Sequence, residues 1–243
     1  MPEASRPPDL REEGRRLIAG AVEREVPLRL MGGVAVALRC PSAASPPLAR
    51  EYKDIDLVGL SSARRPEVAF LTDFGYRPDE EFNALHGRGR LMFYDHYDRQ
   101  LDVILDRLEM SHVLELKDRL LVDTETLTPA DLLLTKLQVV EVNERDLKDA
   151  AALLHDHEID RERIAEVAGA DWGWWRTMTK TLDHIASWCS TLPGFDAGSQ
   201  RIRGQIDELR RRIDEQPKSM RWKVRAKVGE RVRWYELPEE VEQ

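Results

Sequence analysis

Lys53-Asp54-Ile55-Asp56-Leu57-Val58 places two acids, two residues apart, inside an aliphatic run. In a β-strand, side chains at i and i+2 leave the same face. Asp54 and Asp56 are therefore expected to project together, while Ile55, Leu57 and Val58 seek a core. Two carboxylates held side by side away from water are costly unless a cation compensates them. Their hard oxygen donors suit a hard divalent ion, above all Mg²⁺. The plainer alternative is an exposed strand edge with two solvated aspartates. The chain has 45 acidic residues, so chance alone produces several acid-x-acid pairs. Sequence beyond the pair has to decide.

The 243 residues allow one large domain, or one domain and a smaller helical one. A hydrophobic share of 42% supports a core, and 34% charged residues point to a soluble protein. The net charge of −8 argues against wholesale non-specific nucleic-acid binding but allows a local basic patch. Cys40 and Cys189 have no metal-type spacing and read as reduced, buried thiols of a cytoplasmic protein. No signal peptide is expected, since the first ten residues lack an apolar segment. No apolar run approaches the roughly 20 residues that span a bilayer, so no membrane role is expected.

Residues 1–7 read as a loose tail. Helix is expected over 8–25, a short strand over 28–31, and a helical turn over 34–38 after Gly32-Gly33. The Pro-Ser-Ala-Ala-Ser-Pro-Pro segment at 41–47 reads as loop. A helix is expected over 66–74, then two strands over 90–94 and 100–105 around a polar turn. Thr128-Pro129-Ala130-Asp131 resembles a helix start, with the helix running to about residue 142. A second helix covers 146–155. Beyond residue 160 the strand signal disappears, and helices are expected near 161–168, 171–190, 198–215 and 218–228. Two domains follow, 1–157 with a mixed sheet flanked by helices and 158–243 all-helical.

Gly32-Gly33 follows a strand and opens a helix. Glycines admit a phosphate close to the backbone, and a helix N-terminus offers free N–H groups. Asp102 in Leu-Asp-Val-Ile-Leu is an acid inside another aliphatic strand. If that strand pairs beside the first, three carboxylates converge. Such a site suits two cations about 3.5–4 Å apart. The alternative for Asp102 is an ion pair with Arg99 or Arg107, and Asp106 competes with it for the role.

In this order, Leu-Met-Gly-Gly-Val-Ala-Val-Ala-Leu, Arg50, Lys-Asp-Ile-Asp-Leu-Val and Leu-Asp-Val-Ile-Leu resemble the nucleotidyltransferase superfamily typified by DNA polymerase β. The likeness spans roughly residues 28–155. It is greatest to AbiEii-type toxins and small bacterial antibiotic nucleotidyltransferases. The resemblance implies an α+β fold and Mg²⁺-dependent transfer of a nucleoside monophosphate from an NTP to an acceptor hydroxyl or phosphate. It implies Asp54, Asp56 and Asp102 as catalytic metal ligands, with Asp102 also the base. Gly32 and Gly33 would hold the triphosphate. Many family members carry Gly-Ser where this chain has Gly-Gly, a pair common in the AbiEii-like branch.

Residues 129–138 and 143–149 are similar to later AbiEii-type motifs, which implies Lys136 and Asp146 at the nucleotide, with Asp149 close behind. The bland alternative is a solvated Lys136 and a surface pair between Arg145 and Asp149. Residues 216–234 carry seven Lys or Arg against Glu230 alone, interleaved with Trp222 and Trp234. That suits tRNA, other RNA or another polyanion, or else a solvated helix face. Trp172, Trp174, Trp175 and Trp188 read as helical core, or as packing on the catalytic sheet, rather than as a base-stacking platform. His155 and His157 are expected to face solvent.

Three functional classes remain open from the sequence. One is an RNA-modifying nucleotidyltransferase of the toxin type, with an antitoxin as partner. Another is an antibiotic-modifying nucleotidyltransferase acting on an aminoglycoside or lincosamide. The third is a non-catalytic nucleotide-binding module.

Overall fold

The computed structural model describes residues 9–236. The tail expected at 1–7 lies outside them. In chain order the elements are α1 (Leu10–Glu23), β1 (Arg29–Met31), α2 (Gly32–Arg39), β2 (Ile55–Gly59), α3 (Arg64–Asp73), β3 (Arg77–Pro78), α4 (Glu80–His86), β4 (Arg90–Tyr94), β5 (Gln100–Leu105), β6 (Arg107–Glu109) and β7 (Val113–Glu115). Six helices follow: α5 (Pro129–Leu137), α6 (Glu144–Asp156), α7 (Arg161–Ala170), α8 (Trp172–Cys189), α9 (Asp196–Glu215) and α10 (Met220–Val228). None is long and apolar enough to cross a membrane. The architecture is α+β with a mixed sheet, as expected.

The chain forms two compact units. The first comprises residues 9–38 together with Glu51–Leu108 and Glu115–Thr128. The second comprises Arg39–Arg50, Glu109–Leu114 and residues 129–236. The boundary expected near 157 falls inside the second unit, because α5 and α6 pack with the later helices.

The first unit holds a five-stranded sheet in the order β1-β2-β5-β4-β3. Strands β2 and β5 are parallel, and the other pairings are antiparallel. Alternation sorts the side chains. Leu30, Ile55, Leu57, Leu101, Val103, Leu105, Leu91 and Phe93 share one face and are buried. Leu17 and Ile18 of α1 and Phe70 and Leu71 of α3 are buried with them in this unit. Each such side chain removed from water stabilises the fold by about 1.5–3 kcal/mol. The same period of two sends Asp56 and Asp102 to the opposite face. On the outer side of β1, Leu30 donates its N–H to the Glu125 carbonyl and accepts from Leu127. That segment closes the edge of the sheet.

The second unit is helical. Apolar residues recur at helical spacing on α8 (Met178, Leu182, Ile185, Cys189) and α9 (Ile202, Ile206, Leu209, Ile213), and all are buried. Starts are marked in the sequence. Asn143, Asp160, Asp171 and Ser219 each accept backbone N–H groups as N-caps of α6, α7, α8 and α10.

Several expectations needed correction. Helix α5 stops at Leu137 rather than near 142, since β-branched Val139 and Val140 follow and Asn143 caps a new helix. Pro41–Ala44 forms a 3-10 turn inside the expected loop. Strands β3, β6 and β7 and helix α4 were not anticipated. All are seven residues or fewer, too short to show a period.

Glu67 of α3 is fully buried. Its Oε1 accepts the Leu60 N–H at 2.8 Å, while Oε2 has no hydrogen-bond partner. Gly59 makes room for it; a Cβ there would come within 2.6 Å of both carboxyl oxygens. Burial pushes this carboxyl up to about 7, against a weaker downward pull from the Leu60 N–H. The folded protein thus keeps a proton that the unfolded chain releases near the ordinary value of 4.5. Between those values stability falls as pH rises, because the folded state binds more protons. Glu67→Gln should escape a loss of about 2–3 kcal/mol that the parent suffers across this window. Urea unfolding at several pH values measures the difference, and parallel curves for the two proteins would exclude Glu67 as the cause.

Candidate active site

Strands β2 and β5 set Asp56 directly opposite Asp102. Neighbouring strands run about 4.8 Å apart, so the two carboxylates leave one face side by side. Two unit charges about 5 Å apart repel by about 3 kcal/mol at an effective dielectric near 20. Asp102 is buried, and Asp56 is half-buried. Asp54 lies one residue before β2 and is exposed. Strand geometry therefore governs Asp56 but not Asp54, which corrects the expectation of a shared strand.

Both oxygens of Asp102 have donors. Arg90 Nε reaches Oδ1 at 2.9 Å, and Gln100 Nε2 reaches Oδ2 at 2.7 Å. Neither Arg99 nor Arg107 fills the role anticipated for it; Arg99 holds Asp95 at 2.7 Å. Burial weakens the hold of Arg90 on its proton. Its hydrogen bond to Asp102 and the field of Asp102, Asp56 and Asp54 outweigh that loss, so the guanidinium is held above its usual range. The competitor Asp106 is engaged elsewhere, accepting from the Ser61 N–H and hydroxyl.

On the other flank, Met31 of β1 pairs with Asp56, and Gly32 follows at once. Gly32 has φ +66°, a left-handed conformation that favours glycine. A Cβ on Gly32 would overlap the Asp56 carboxylate. The first glycine is thus required both by backbone angle and by close approach. Gly33 is buried in the first turn of α2. The amides that open α2 therefore begin beside an acid of the cluster.

The oxygen donors fit a hard divalent cation chemically. Among the described residues, however, no three His, Cys, Asp or Glu side chains already stand in metal-holding geometry. Asp56 and Asp102 supply adjoining donors, Asp54 is free to approach from its exposed position, and Arg90 occupies Asp102.

Lys136 and Asp146 belong to the second unit. Lys136 Nζ contacts Asp146 Oδ1 at 3.1 Å and Asp149 Oδ2 at 2.9 Å. Arg50 clasps Asp149 with two bonds of 2.7 Å. Asp149 is only 2% exposed and Lys136 13%. The solvated-lysine alternative is thereby excluded, and Asp149 rather than Asp146 is the hub. Burial alone would lower the Lys136 ammonium; the two aspartates more than restore it, leaving it raised. Burial likewise opposes ionisation of Asp149, but Lys136 and Arg50 hold its carboxyl below the usual range.

Cys40 and Cys189 are free and buried, and burial pushes their thiols up to about 12 and about 11. Both are poor nucleophiles. His157 Nε2 donates to the Arg39 carbonyl at 3.2 Å, and His155 meets Asp156, so neither simply faces solvent. Four tryptophans pack on one another, Trp172 near Trp175 and Trp234, and Trp175 near Trp222, while Trp174 lies against His112; Trp172 and Trp174 are buried, and Trp175 and Trp188 only partly so. Sequence reasoning missed Arg90, Gln100 and Glu67. Arg90 and Gln100 share strand parity with Met92 and Asp102, a signal visible only once β4 is known to lie beside β5.

No family model matches this chain, and no curated protein matches it. Among solved structures it is similar to the lincosamide antibiotic adenylyltransferase LnuA with lincomycin bound, at 17% identity, 58% of this chain, 94% of that one and a TM-score of 0.42. It is similar to the antibiotic-resistance factor ANT(2'')-Ia at 14% identity, 74% and 94% coverage and a TM-score of 0.42. An antigenic nucleotidyltransferase-like protein from Paracoccidioides brasiliensis gives 12% identity, 79% and 93% coverage and a TM-score of 0.45. Likeness of this degree carries no argument about activity, and the acids themselves must carry the functional reading.

Two substitutions probe the geometry. Gly32→Ala should lower stability by about 2 kcal/mol or more, from the left-handed backbone and the overlap with Asp56; chemical denaturation measures it. Lys136→Met leaves Asp146 and Asp149 short of a cation and should cost about 3 kcal/mol near neutrality. That loss should shrink as pH falls through and below the ordinary carboxylate range, where the depressed Asp149 finally protonates. A pH-independent loss would point to packing instead.

Proposed function

We propose that this protein is a Mg²⁺-dependent nucleotidyltransferase that moves a nucleoside monophosphate from an NTP to an acceptor hydroxyl or phosphate. One observation carries the reading. Asp56 faces Asp102 across adjoining parallel strands, with the Gly32 backbone against Asp56 at the start of a helix. A fold gains no stability by pressing two acids together, so the arrangement is explained by what they bind.

In this reading Asp56 and Asp102 hold the cation, and Asp54 reaches in from its exposed position to complete the set. The bound ion would supply positive charge for the leaving pyrophosphate and lower the barrier to deprotonating the acceptor. The amides at Gly32 and Gly33 orient the triphosphate. Asp102 takes the proton of the acceptor hydroxyl. The acceptor oxygen then bonds to the α-phosphorus as its bond to the bridging oxygen breaks, and pyrophosphate departs. We assign Lys136 and Asp146 no step of their own: Lys136 is already engaged by two carboxylates.

Two acceptor classes follow from charge. The net charge of −8 favours a cationic small molecule such as an aminoglycoside. Exposed Arg221, Lys223, Lys227 and Arg231 favour RNA, as in toxin-type members with an antitoxin partner. Lys218 and Arg225 from the same basic stretch are tied to backbone carbonyls. That thins the basic surface, so the small-molecule acceptor is the primary reading.

Incubation with each α-labelled NTP, Mg²⁺ and either an aminoglycoside and lincosamide panel or total RNA tests the proposal. Label should move to one acceptor class. Asp102→Asn, which keeps shape and removes the base, should slow transfer by about 10²–10⁴-fold, and Asp56→Asn, which removes a cation ligand, should abolish transfer at the Mg²⁺ concentration that saturates the parent. Nucleotide binding that ignores Mg²⁺ and Asp56→Asn, without transfer, would favour the non-catalytic module.

A further inference from the structure

We propose that Arg90 is a built-in counter-cation: its guanidinium neutralises the acid cluster while no divalent ion is present and must release Asp102 for one to bind. The inference rests on the nucleotidyltransferase reading and adds a residue that reading does not contain.

The geometry supports a removable cation rather than a fixed ion pair. Arg90 sits on β4 two residues from Met92, the register partner of Asp102, and reaches along the sheet face to the carboxylate. Its single close contact runs from Nε to Oδ1 at 2.9 Å. A side-on contact of this kind lacks the two parallel bonds that make an arginine–carboxylate pair rigid. Contrast Arg50, which clasps Asp149 through two bonds and is 12% exposed. The Arg90 side chain is 39% exposed, although its acid is 5% exposed. It therefore has open solvent into which to move. The Phe82 ring of α4 already lies beside the guanidinium, its centre 5.5 Å from the guanidinium carbon, and needs no bond to Asp102 to make that contact.

Occupancy by Arg90 and by a divalent ion are antagonistic. A hard cation needs the Asp102 oxygens that Arg90 and Gln100 now contact, and a guanidinium beside a doubly charged ion is repelled. Gln100 is neutral and adds no such penalty. An ion arriving alone must displace Arg90 without giving it a new partner. An ion arriving with a nucleotide brings phosphate oxygens that a freed guanidinium can bind. The two ligands are thus coupled through one side chain, and by linkage each should strengthen the other. Arg90 is a positioning residue in this scheme, setting when Asp102 becomes available.

Mn²⁺ titration of the 243-residue chain, read by electron paramagnetic resonance, tests the idea together with melting in EDTA and in Mn²⁺. Without nucleotide, Arg90→Gln should bind Mn²⁺ at least about tenfold more tightly than the parent, given the repulsion it removes. It should melt below the parent in EDTA and recover in Mn²⁺. Adding a non-hydrolysable NTP should tighten Mn²⁺ binding more in the parent than in the variant. Arg90→Lys, which keeps the charge but loses the Nε contact, should fall between them. That variant decides the matter if Arg90→Gln does not fold even in Mn²⁺. Equal or weaker Mn²⁺ binding by the folded variants, with the parent still binding Mn²⁺ beside nucleotide, would overturn the inference and leave the proposed function standing. No Mn²⁺ binding by any protein under any condition would overturn both.

Discussion

The period of two along β2 and β5 is the constraint on which the first unit depends. It cannot bury Ile55, Leu57, Leu101 and Val103 on one face without turning Asp56 and Asp102 out together on the other. Slipping either strand by one residue would push its acid into the core, so the hydrophobic effect itself enforces the meeting of the carboxylates. The repulsion is met locally by Arg90 and Gln100 and by the conformation of Gly32, whose missing side chain leaves room for Asp56.

The helical unit handles buried charge differently. Its acids are closed into multiple contacts: Asp149 between Lys136 and Arg50, and fully buried Asp131 against Arg163 at 2.8 Å. Such knots add little net stability over an apolar equivalent, but losing one member is expensive. His112 shows the neutral version. Burial pushes its imidazole down to about 4, and its Nε2 meets the Thr177 hydroxyl at 2.8 Å, to which Trp234 also donates. The contrast with the half-exposed Arg90 is one of purpose: closed knots hold helices together, and an open contact can be exchanged.

Much of this was legible in the sequence. Strands β4 and β5 fall on the expected residues because aliphatic runs between polar turns leave few other readings. The proximity of Asp56 and Asp102 followed from parity once the two strands were taken as neighbours. What escaped depended on partners distant in sequence. Arg90 gains meaning only from the β5–β4 adjacency, and Asp149 outranks Asp146 only because of the face α6 buries. Asp54 was misplaced because β2 begins one residue later than the pattern of acids suggested. The short elements carry too few residues for periodicity to speak.

The treatment of the sheet borders has a consequence for association. At one side the 125–127 segment hydrogen-bonds along Leu30, and at the other β3 is two residues long and includes Pro78, which has no N–H to offer. Neither border presents a run of unsatisfied amides. Among the described residues, strand addition at the borders of the five-stranded sheet is therefore opposed by a loop on one side and a single imino acid on the other.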